Sequence, residues 1–487
     1  MPAGEAARGF LVAEYIVRQG GQGEGGTLPS LGAAVAVARA GDTVVVYGGV
    51  YKERFIPPQG TTWRAAPGES PVIDGRWNGQ NAPTGEGRRP QVLISKRDVT
   101  MTGFTVRNVP GAGVAVTGGG DSFTMTDCLI HDCFDSGVAV NGLGHAVENV
   151  TFRGVHVRRV SRSWVVEESP KGVAGCFLFR YAKNALVEDC SVSESYGEGM
   201  AAGIQSIGII FRRVTIHTTM HLAVYASNRA QDVLLEDCVF YQTGDPEYRQ
   251  GDGDVGAGIV IGDETRPDDK DDDWRHAENV TIRRCLVVNA GTLFNIRNNL
   301  KAGKGQGQYD GYETRIQNLR VENCTFVSGP LTRTGIAIQE NQIGHAVRGM
   351  VTGCVFVLDR LASAGAPFRS NAPGLRFEGN AFTVMPPGLA SGNEATTAAA
   401  LVAPFAPPAA GFSIDNYRPV AGSAVALAGL GALAAQGDPP PPPPPPPPDP
   451  VEWVSVPVTE WQRIQELTAA ARASLAELAE LIEEPAA

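Results

Sequence analysis

The chain has 487 residues, of which 43% are hydrophobic and 19% are charged, which is the balance of a soluble globular protein. The 59 glycines and 34 prolines are many for this length, so we expect numerous turns rather than long helices. The formal net charge of −11 argues against nucleic acid as a main partner, because binding to phosphates requires a basic face.

Residues 1–9 are predicted to form a short N-terminal arm. This segment lacks the basic stretch and long apolar run of a secretory signal. No apolar run reaches the ~20 residues that a membrane span requires, so membrane insertion is not expected. We therefore expect synthesis in the cytoplasm, from which virion assembly and cell lysis offer one route of exit.

Residues 10–437 contain a repeated eight-residue phrase, seen as VLLEDCVF at 233–240, in which apolar residues alternate with charged ones around a cysteine. The ten copies begin at Val99, Phe123, Val150, Ala185, Ile209, Val233, Val280, Leu319, Gly349 and Leu375. The alternation predicts a strand, and a second strand follows a glycine in phrases such as GVAV at 113 and GIVI at 258. The shortest spacing between copies is 24 residues, and fixed spacing with insertions is typical of a solenoid.

Two or three short strands per unit, stacked ~4.8 Å apart, predict an all-β chain in the form of a single-stranded parallel β-helix. The sixth position of the phrase is occupied by Cys128, Cys190, Cys238, Cys285, Cys324 and Cys354. A metal or redox cluster is the alternative use of these thiols, but the chain has no CxxC or Cys/His ligand spacing. We expect a stacked ladder of buried, reduced cysteines, with Cys176 at an inward position of the second strand.

Two segments carry a resemblance to a known group. GDTVVVYGGVYKERF and WRAAPGESPVIDG resemble the opening coils of right-handed β-helix proteins of the pectate-lyase-like superfamily, and DNYRPVAGSAV at 415–425 resembles their closing segment. The resemblance implies a right-handed β-helix over residues 10–437. The local catalytic signatures of pectate lyases and polygalacturonases are missing, and the fold hosts enzymes, phage tailspikes and adhesive proteins alike, so the resemblance does not imply one activity.

The composition changes after residue 437. Residues 438–450 contain ten consecutive prolines and are predicted to form a semi-rigid polyproline linker, with a ligand for aromatic-groove domains as the alternative. Residues 451–487 are predicted to form an amphipathic helix of the coiled-coil type. Its apolar seam includes Trp461, Ile464, Leu475, Leu478 and Ile482. We expect self-association, as a trimer if the virion fibres that this arrangement resembles are a guide, or docking on a partner; folding back on the β-helix is the alternative.

The turns that follow the phrase in five consecutive units are predicted to form one stripe of side chains. Acids one or two rungs apart would lie ~5 or ~10 Å from each other, which brackets the separations used by glycosidases. The candidate catalytic acids are Asp135, Glu168, Glu198 and Asp245. The candidate substrate-binding residues are Arg162, Trp164, Tyr196, His221, Tyr241 and Tyr248. The alternative is a set of ordinary solvated turns with capping acids.

A second loop, at 262–279, is rich in aspartate. Asp268, Asp271 and Asp273 are candidate ligands for Ca²⁺, which prefers several carboxylate and carbonyl oxygens. The order of acids in an EF-hand is absent, and a solvated acidic loop is the alternative. No other cofactor is expected.

These features together predict a virion-associated appendage of the tailspike, fibre or capsid-decorating type, which contacts surface glycans and is oligomerised or anchored through its tail. A virion structural protein would then be a further partner. The alternatives are a polysaccharide hydrolase or lyase that uses the acidic stripe, and a bacterial adhesin without catalysis.

Overall fold

A computed structural model describes residues 12–20, 27–79, 81–166, 175–227, 229–251, 253–263, 277–298, 315–338, 346–362, 365–370, 374–406, 408 and 411–433. The chain divides into two compact units, Met1–Pro444 and Pro445–Ala487, and the described residues all belong to the first. The predicted N-terminal arm, proline linker and C-terminal helix, with their seam residues, lie outside the described residues.

Three parallel sheets, named A, B and C here, run side by side through the described part of the chain, and the coils from Thr62–Ala65 to Ala366–Ser370 pass through A, B and C in that order. Sheet A contains Glu14–Val17, Thr27–Leu28, Thr43–Val46, Thr62–Ala65, Thr100–Thr102, Thr124–Thr126, Val147–Glu148, Thr151–Arg153, Ala182–Glu188, Ile207–Arg212, Leu234–Glu236, Thr281–Arg283, Arg315–Glu322, Ala346–Thr352 and Leu375–Glu378. Sheet B contains Gly49–Tyr51, Pro71–Asp74, Thr105–Val109, Leu129–Cys133, His156–Arg158, Ser191–Ser195, Thr215–Thr219, Val239–Tyr241, Leu286–Val288, Thr325–Val327, Val355–Val357, Ala381–Phe382 and Glu394–Ala395. Sheet C contains Val92–Ile94, Val114–Thr117, Val138–Asn141, Gly175–Arg180, Glu198–Ala202, Leu222–Ser227, Ala257–Asp263, Thr292–Asn298, Thr334–Ile338 and Ala366–Ser370. The predicted parallel β-helix is confirmed.

Helices are few and short in this part of the chain. The α-helices are Leu31–Val37, Ser163–Val166 and Ala424–Leu427, and the 3₁₀ helices are Gly85–Gly87, Pro246–Tyr248, Ala398–Ala400 and Ile414–Tyr417. The hydroxyl oxygen of Ser30 caps the first helix by accepting a hydrogen bond from the backbone N–H of Ala33. Within the described ranges, no helix has the length and apolar character that a membrane span requires.

The repeated phrase covers two strands and the corner between them, whereas its alternation of apolar residues predicted one strand. In the copy at 233–240, Leu234–Glu236 lies in sheet A, Val239–Tyr241 lies in sheet B, and Cys238 lies at the corner. Asp237 before it has a φ of 56°, and this left-handed conformation turns the chain from one sheet to the next. Asp127 and Asn323 have positive φ at the same position, because Asp and Asn tolerate this conformation better than most residues.

The predicted cysteine ladder is confirmed, because all eight cysteines are free and buried. The backbone N–H of Cys285 donates to Sγ of Cys324 at 3.4 Å, and that of Cys324 donates to Sγ of Cys354 at 3.3 Å. The ladder ends at buried Asn380, whose Oδ1 accepts the N–H of Cys354 at 2.9 Å. The thiols thus fill the inside of the corner and accept backbone N–H groups from the neighbouring coil.

We expect none of the eight thiols to react with Ellman's reagent in the folded protein, and all eight to react after denaturation. The thiolate is the reactive species, and burial raises the pKa of Cys128, Cys176 and Cys190 to about 12. The measurement is a thiol count at pH 8 with and without guanidinium. Rapid reaction of even one thiol in the folded protein would contradict the buried ladder.

Aromatic side chains stack along the inside of the later coils. The rings of Phe326 and Phe356 lie 4.9 Å apart, and those of Phe356 and Phe382 lie 4.7 Å apart, each pair within 7° of parallel. All three side chains are fully buried. Because equivalent positions of successive strands stack on each other, one phenylalanine per coil builds a continuous column.

The outer face of sheet A carries a row in which basic and acidic side chains alternate from coil to coil. The row runs through Arg153, Glu188, Arg212, Glu236, Arg283 and Glu322. Glu236 accepts hydrogen bonds from Nε of Arg212 at 2.8 Å and from Nε of Arg283 at 2.6 Å, and Arg284 adds a third at 2.5 Å. Burial by itself raises the pKa of Glu236, but the three arginines outweigh it and lower the pKa to about 2.

The outer face of sheet B is covered over its later coils by the closing segment, 398–433. Leu401, Tyr417 and Val425 of this segment pack with Val288 and Val327 of the sheet in one buried apolar cluster. The backbone N–H of Ala432 also donates to Oγ1 of Thr325 at 2.9 Å. The cover supplies an apolar partner for a face that would otherwise be exposed to water.

Candidate functional site

Most of the predicted site residues lie in the turns that connect sheet B to sheet C, named the B–C edge here. The turn between the strands His156–Arg158 and Gly175–Arg180 contains the helix Ser163–Val166, which carries Trp164. Its start is fixed to the preceding coil, because the N–H of Ser163 donates to the carbonyl of Phe134 at 2.9 Å. In the following coils the N–H of Tyr196 donates to Val160 at 3.2 Å, and that of Met220 donates to Ser195 at 2.8 Å. The ladder of hydrogen bonds therefore continues through these turns and holds their side chains in register.

Five side chains from these turns form an aromatic cluster. The rings of Trp164 and His221 lie 4.1 Å apart, and those of Tyr196 and Tyr248 lie 4.8 Å apart. Met220 is buried in one cluster with both tyrosines, and Trp164 packs against this cluster. The structure thus brings together four of the six predicted substrate-binding residues, and the fifth, Arg162, contacts them as well.

Arg162 and Glu247 hold the hydroxyl group of Tyr196. Nη1 of Arg162 donates to this hydroxyl at 2.5 Å and its guanidinium lies 4.9 Å from the ring centre, while the hydroxyl itself donates to the carboxylate of Glu247. Burial, and then the bond to Glu247, raise the pKa of Tyr196 to about 12. Burial and the neighbouring Tyr196 also raise the pKa of Tyr248. Both phenols therefore stay neutral near pH 7, and the Tyr196 hydroxyl uses its proton in the bond to Glu247.

Exposure separates the members of the cluster. Tyr196 and Tyr248 are 3% and 4% exposed, so their rings are too enclosed to stack on a ligand. Trp164 and His221 are half-buried, and the neighbouring Val165 is exposed. The surface available to a ligand is therefore the partly exposed face of Trp164, named the Trp164 side here. Trp164 packs against the buried cluster that contains the two tyrosines.

The sixth predicted binding residue, Tyr241, lies outside the cluster. Its ring is stacked 4.0 Å from Phe412 of the closing segment and 4.9 Å from His217 of the preceding coil. Burial lowers the pKa of His217 to about 4 and raises that of Tyr241. Tyr241 therefore anchors the closing segment onto sheet B.

The three predicted catalytic acids within the described residues occupy different environments. The carboxylate of Asp135 accepts two hydrogen bonds from Arg88, at 2.9 Å from Nε and 2.6 Å from Nη2. Glu198 is buried at the first position of a sheet C strand, between Gly175 and Leu222 of the neighbouring coils. Asp245 is exposed and caps the helix Pro246–Tyr248, whose first residue is proline.

One coil lies between the coils of Asp135 and Glu198, and one lies between the coils of Glu198 and Asp245. Two strand spacings correspond to about 10 Å along the axis. The carboxylate of Asp135 is bound to Arg88, and that of Asp245 accepts the backbone N–H of Glu247 at 3.0 Å. The fourth acid, Glu168, lies outside the described residues.

The predicted calcium ligands Asp268, Asp271 and Asp273 also lie outside the described residues. Among the residues that the structure does describe, no group of three or more His, Cys, Asp or Glu side chains is placed to hold a metal ion.

Several residues that shape this edge were not predicted from the sequence. Glu247 lies in the predicted stripe but was not chosen, and Met220 has no polar group to suggest a role. Arg88 precedes its partner by 47 residues, and its guanidinium also lies 5.0 Å from the ring centre of Phe134. The sequence RSWVV at 162–166 places apolar residues directly after a basic one within a turn. This pattern could have indicated an exposed turn that carries an aromatic side chain.

Comparison with known proteins gives the following similarities. The chain is similar to a crystal structure of a pectate lyase, at 13% identity and a TM-score of 0.48, over 85% of this chain and 90% of that chain. It is similar to the catalytic domain of an α-1,3-glucanase in complex with nigerose, at 10% identity and a TM-score of 0.43, over 75% and 68% of the two chains. It is also similar to the A-module of the mannuronan C-5 epimerase of Azotobacter vinelandii, at 11% identity and a TM-score of 0.42, over 71% and 93%.

No curated protein matches the sequence. The family described as "Right handed beta helix region" matches residues 92–342, which is more than half of the chain. This stretch includes strands of all three sheets from Val92–Ile94 to Thr334–Ile338 and seven of the eight cysteines. The chain belongs to the family of right-handed β-helix proteins.

Proposed function

We propose that this β-helix contacts a polysaccharide through the Trp164 side of the aromatic cluster. The single observation that carries the proposal is the pair of half-buried rings, Trp164 and His221, held at the B–C edge on a base of buried tyrosines. An aromatic ring with one apolar face and nearby polar groups suits the faces and hydroxyls of a sugar. The rings are fixed by packing, so little conformational entropy is lost when a ligand binds.

Contact is better supported than cleavage. The carboxylates of Asp135 and Asp245 are already bound to Arg88 and to the backbone N–H of Glu247, whereas the Trp164 ring is partly exposed to a ligand. Cleavage by Asp135, Glu198 or Asp245 stays a prediction of the sequence, and a reducing-end assay on a bound polysaccharide would detect it.

Display on a virion and self-association also stay predictions. Both depend on the tail from residue 438 onward, which lies outside the described residues. In this proposal the β-helix body meets a surface glycan and the tail provides anchorage or assembly. A polysaccharide contact is common to the appendage, enzyme and adhesin hypotheses, so it is the part to test first.

We expect Trp164→Ala to weaken binding of the recognised polysaccharide about tenfold or more, because removing a central aromatic anchor commonly costs ~2 kcal/mol of binding free energy. The measurement is biolayer interferometry of the full chain against immobilised lipopolysaccharide, capsular polysaccharide, polygalacturonate and alginate.

Leu143→Ala is the matched control, since Leu143 is 74% exposed and lies in a turn between sheet C and sheet A. It removes exposed apolar surface away from the cluster and should leave the affinity unchanged. Equal affinity of Trp164→Ala and Leu143→Ala for a polysaccharide that the unmodified chain binds would exclude the cluster as its contact site.

A further inference from the structure

A separate cavity lies between the B–C edge and the closing segment. Its volume is about 290 Å³, and it is lined by turns from four consecutive coils together with Pro404, Phe405, Ala406 and Pro408. The apolar walls include Val288, Leu331, Pro404 and Phe405. None of these residues belongs to the aromatic cluster around Trp164, so the cavity is a distinct site.

Two arginines give the cavity its charge. Nε and Nη2 of Arg249 both donate to the carbonyl oxygen of Gly244, at 3.1 and 2.7 Å, which fixes this guanidinium in place. The guanidinium of Arg360 lies 4.3 Å from the ring centre of Phe405. Within the described part of the chain, neither arginine forms an ion pair with a carboxylate. Two oriented positive groups therefore face a cavity in a chain whose net charge is −11.

The other polar side chains of the wall already have partners. Asn289 donates to the carbonyl of Gln242 and accepts the N–H of Leu331. The hydroxyl of Ser328 accepts the N–H of Arg360 at 3.1 Å, and that of Thr243 bonds to the hydroxyl of Thr218 at 2.9 Å. A sugar would need several groups to bond its hydroxyls, whereas this wall offers two guanidinium groups and apolar surface.

We propose that this cavity binds a small carboxylate with an apolar body. The carboxylate would pair with Arg360, since a planar guanidinium matches the two oxygens of a carboxylate, and the charge of Arg249 in the same wall would favour an anion. The apolar body would lie against Phe405, Leu331 and Pro404. Because Pro404 and Phe405 belong to the segment that covers sheet B, an occupied cavity would also hold that segment in place.

Isothermal titration calorimetry of the full chain with 4-phenylbutanoate and with its neutral counterpart, 4-phenylbutanol, tests the proposal. We expect the carboxylate to bind saturably and the alcohol to bind more weakly. Arg360→Gln should weaken carboxylate binding about tenfold, because it removes a charge-assisted hydrogen bond, and should leave binding of the alcohol unchanged. Phe405→Ala should weaken binding of both compounds, since it removes an apolar wall.

Arg376→Gln is the control for the change in charge, because Arg376 is exposed on the outer face of sheet A. Trp164→Ala is the control for the glycan contact, and both controls should bind 4-phenylbutanoate like the unmodified chain. Absence of saturable binding of 4-phenylbutanoate, benzoate and octanoate, or equal affinity of Arg360→Gln and Arg376→Gln, would overturn the proposal.

Discussion

Replacing Phe356 with alanine is expected to lower the free energy of unfolding by about 3–5 kcal/mol. The Phe356 side chain is fully buried and is stacked between Phe326 and Phe382 at 4.9 and 4.7 Å. Backbone hydrogen bonds hold the coils above and below at a fixed spacing, so the column cannot close over the missing ring. The substitution therefore loses both the transfer free energy of the ring and the contacts of its two neighbours.

Urea unfolding followed by tryptophan fluorescence measures this effect. Phe356→Leu keeps most of the volume and should cost roughly 1–2 kcal/mol, whereas Leu143→Ala on the surface should change stability by less than about 0.5 kcal/mol. Solenoids can unfold in parts, so the midpoint of each transition is compared rather than one extrapolated value. A midpoint for Phe356→Ala equal to that of Leu143→Ala would mean that the aromatic column is not packed as described.

Replacing Glu236 with glutamine is expected to cost about 2–3 kcal/mol at pH 7. The carboxylate is 6% exposed and accepts hydrogen bonds from Arg212, Arg283 and Arg284. Neutralising it leaves three guanidinium groups close together without their shared partner. The cost falls below the ~3–5 kcal/mol typical of a buried pair, because these arginines are 26–39% exposed and partly solvated.

The effect of Glu236 on stability depends on pH in a definite direction. Its pKa is about 2 in the folded protein, below the ordinary value of 4.5. The folded state therefore favours the charged form, and the stabilisation is complete above pH 4.5 and is lost as the pH falls toward 2. The difference in stability between the unmodified chain and Glu236→Gln should accordingly be constant from pH 7 to pH 5, shrink below pH 4.5 and disappear near pH 2.

Glu378→Gln is the matched control for this series. Glu378 occupies the same outward row of sheet A two coils beyond Glu322, but it is exposed and no arginine pairs with it among the described residues. Its substitution should change stability little at any pH. A constant difference between Glu236→Gln and the unmodified chain down to pH 2 would show that the loss at position 236 is not electrostatic.

The repeated phrase of the sequence was sufficient to predict the coils and their inner positions. Alternation of apolar residues and a minimum spacing of 24 residues are properties of short stretches of sequence. Because the coils stack, each copy of the phrase takes the same position in its coil. The burial of Cys128 and Cys324, for example, follows from their shared position in the phrase. The same regularity located the sheet C strand that follows each glycine, such as Val114–Thr117.

The corner between sheets A and B was not predicted, because it depends on the backbone conformation of one residue. Asp237 looks like any charged residue within an alternating strand, yet its φ of 56° turns the chain there. Asp and Asn at the equivalent positions are compatible with a strand end or with a corner, and only the closing of the coil on itself selects the corner.

The contents of the B–C edge were predicted in part. The chain order placed Arg162, Trp164, Tyr196, His221 and Tyr248 on successive turns, and the structure brings these five together. The chain order did not indicate that the two tyrosines are buried. It also did not indicate that Asp135 is paired with Arg88, which lies 47 residues earlier in the chain.

The sequence by itself therefore determined the solenoid, its repeated core and the edge on which the candidate site lies. The tertiary structure alone decided which side chains of that edge are exposed, and that the closing segment covers Tyr241 with Phe412 and forms the cavity beside Arg360. The physical reason is the difference between strands and turns. Strand side chains are fixed by a two-residue period and by hydrogen bonds to the next coil, whereas turns of unequal length have no period and take their contacts from segments distant along the chain.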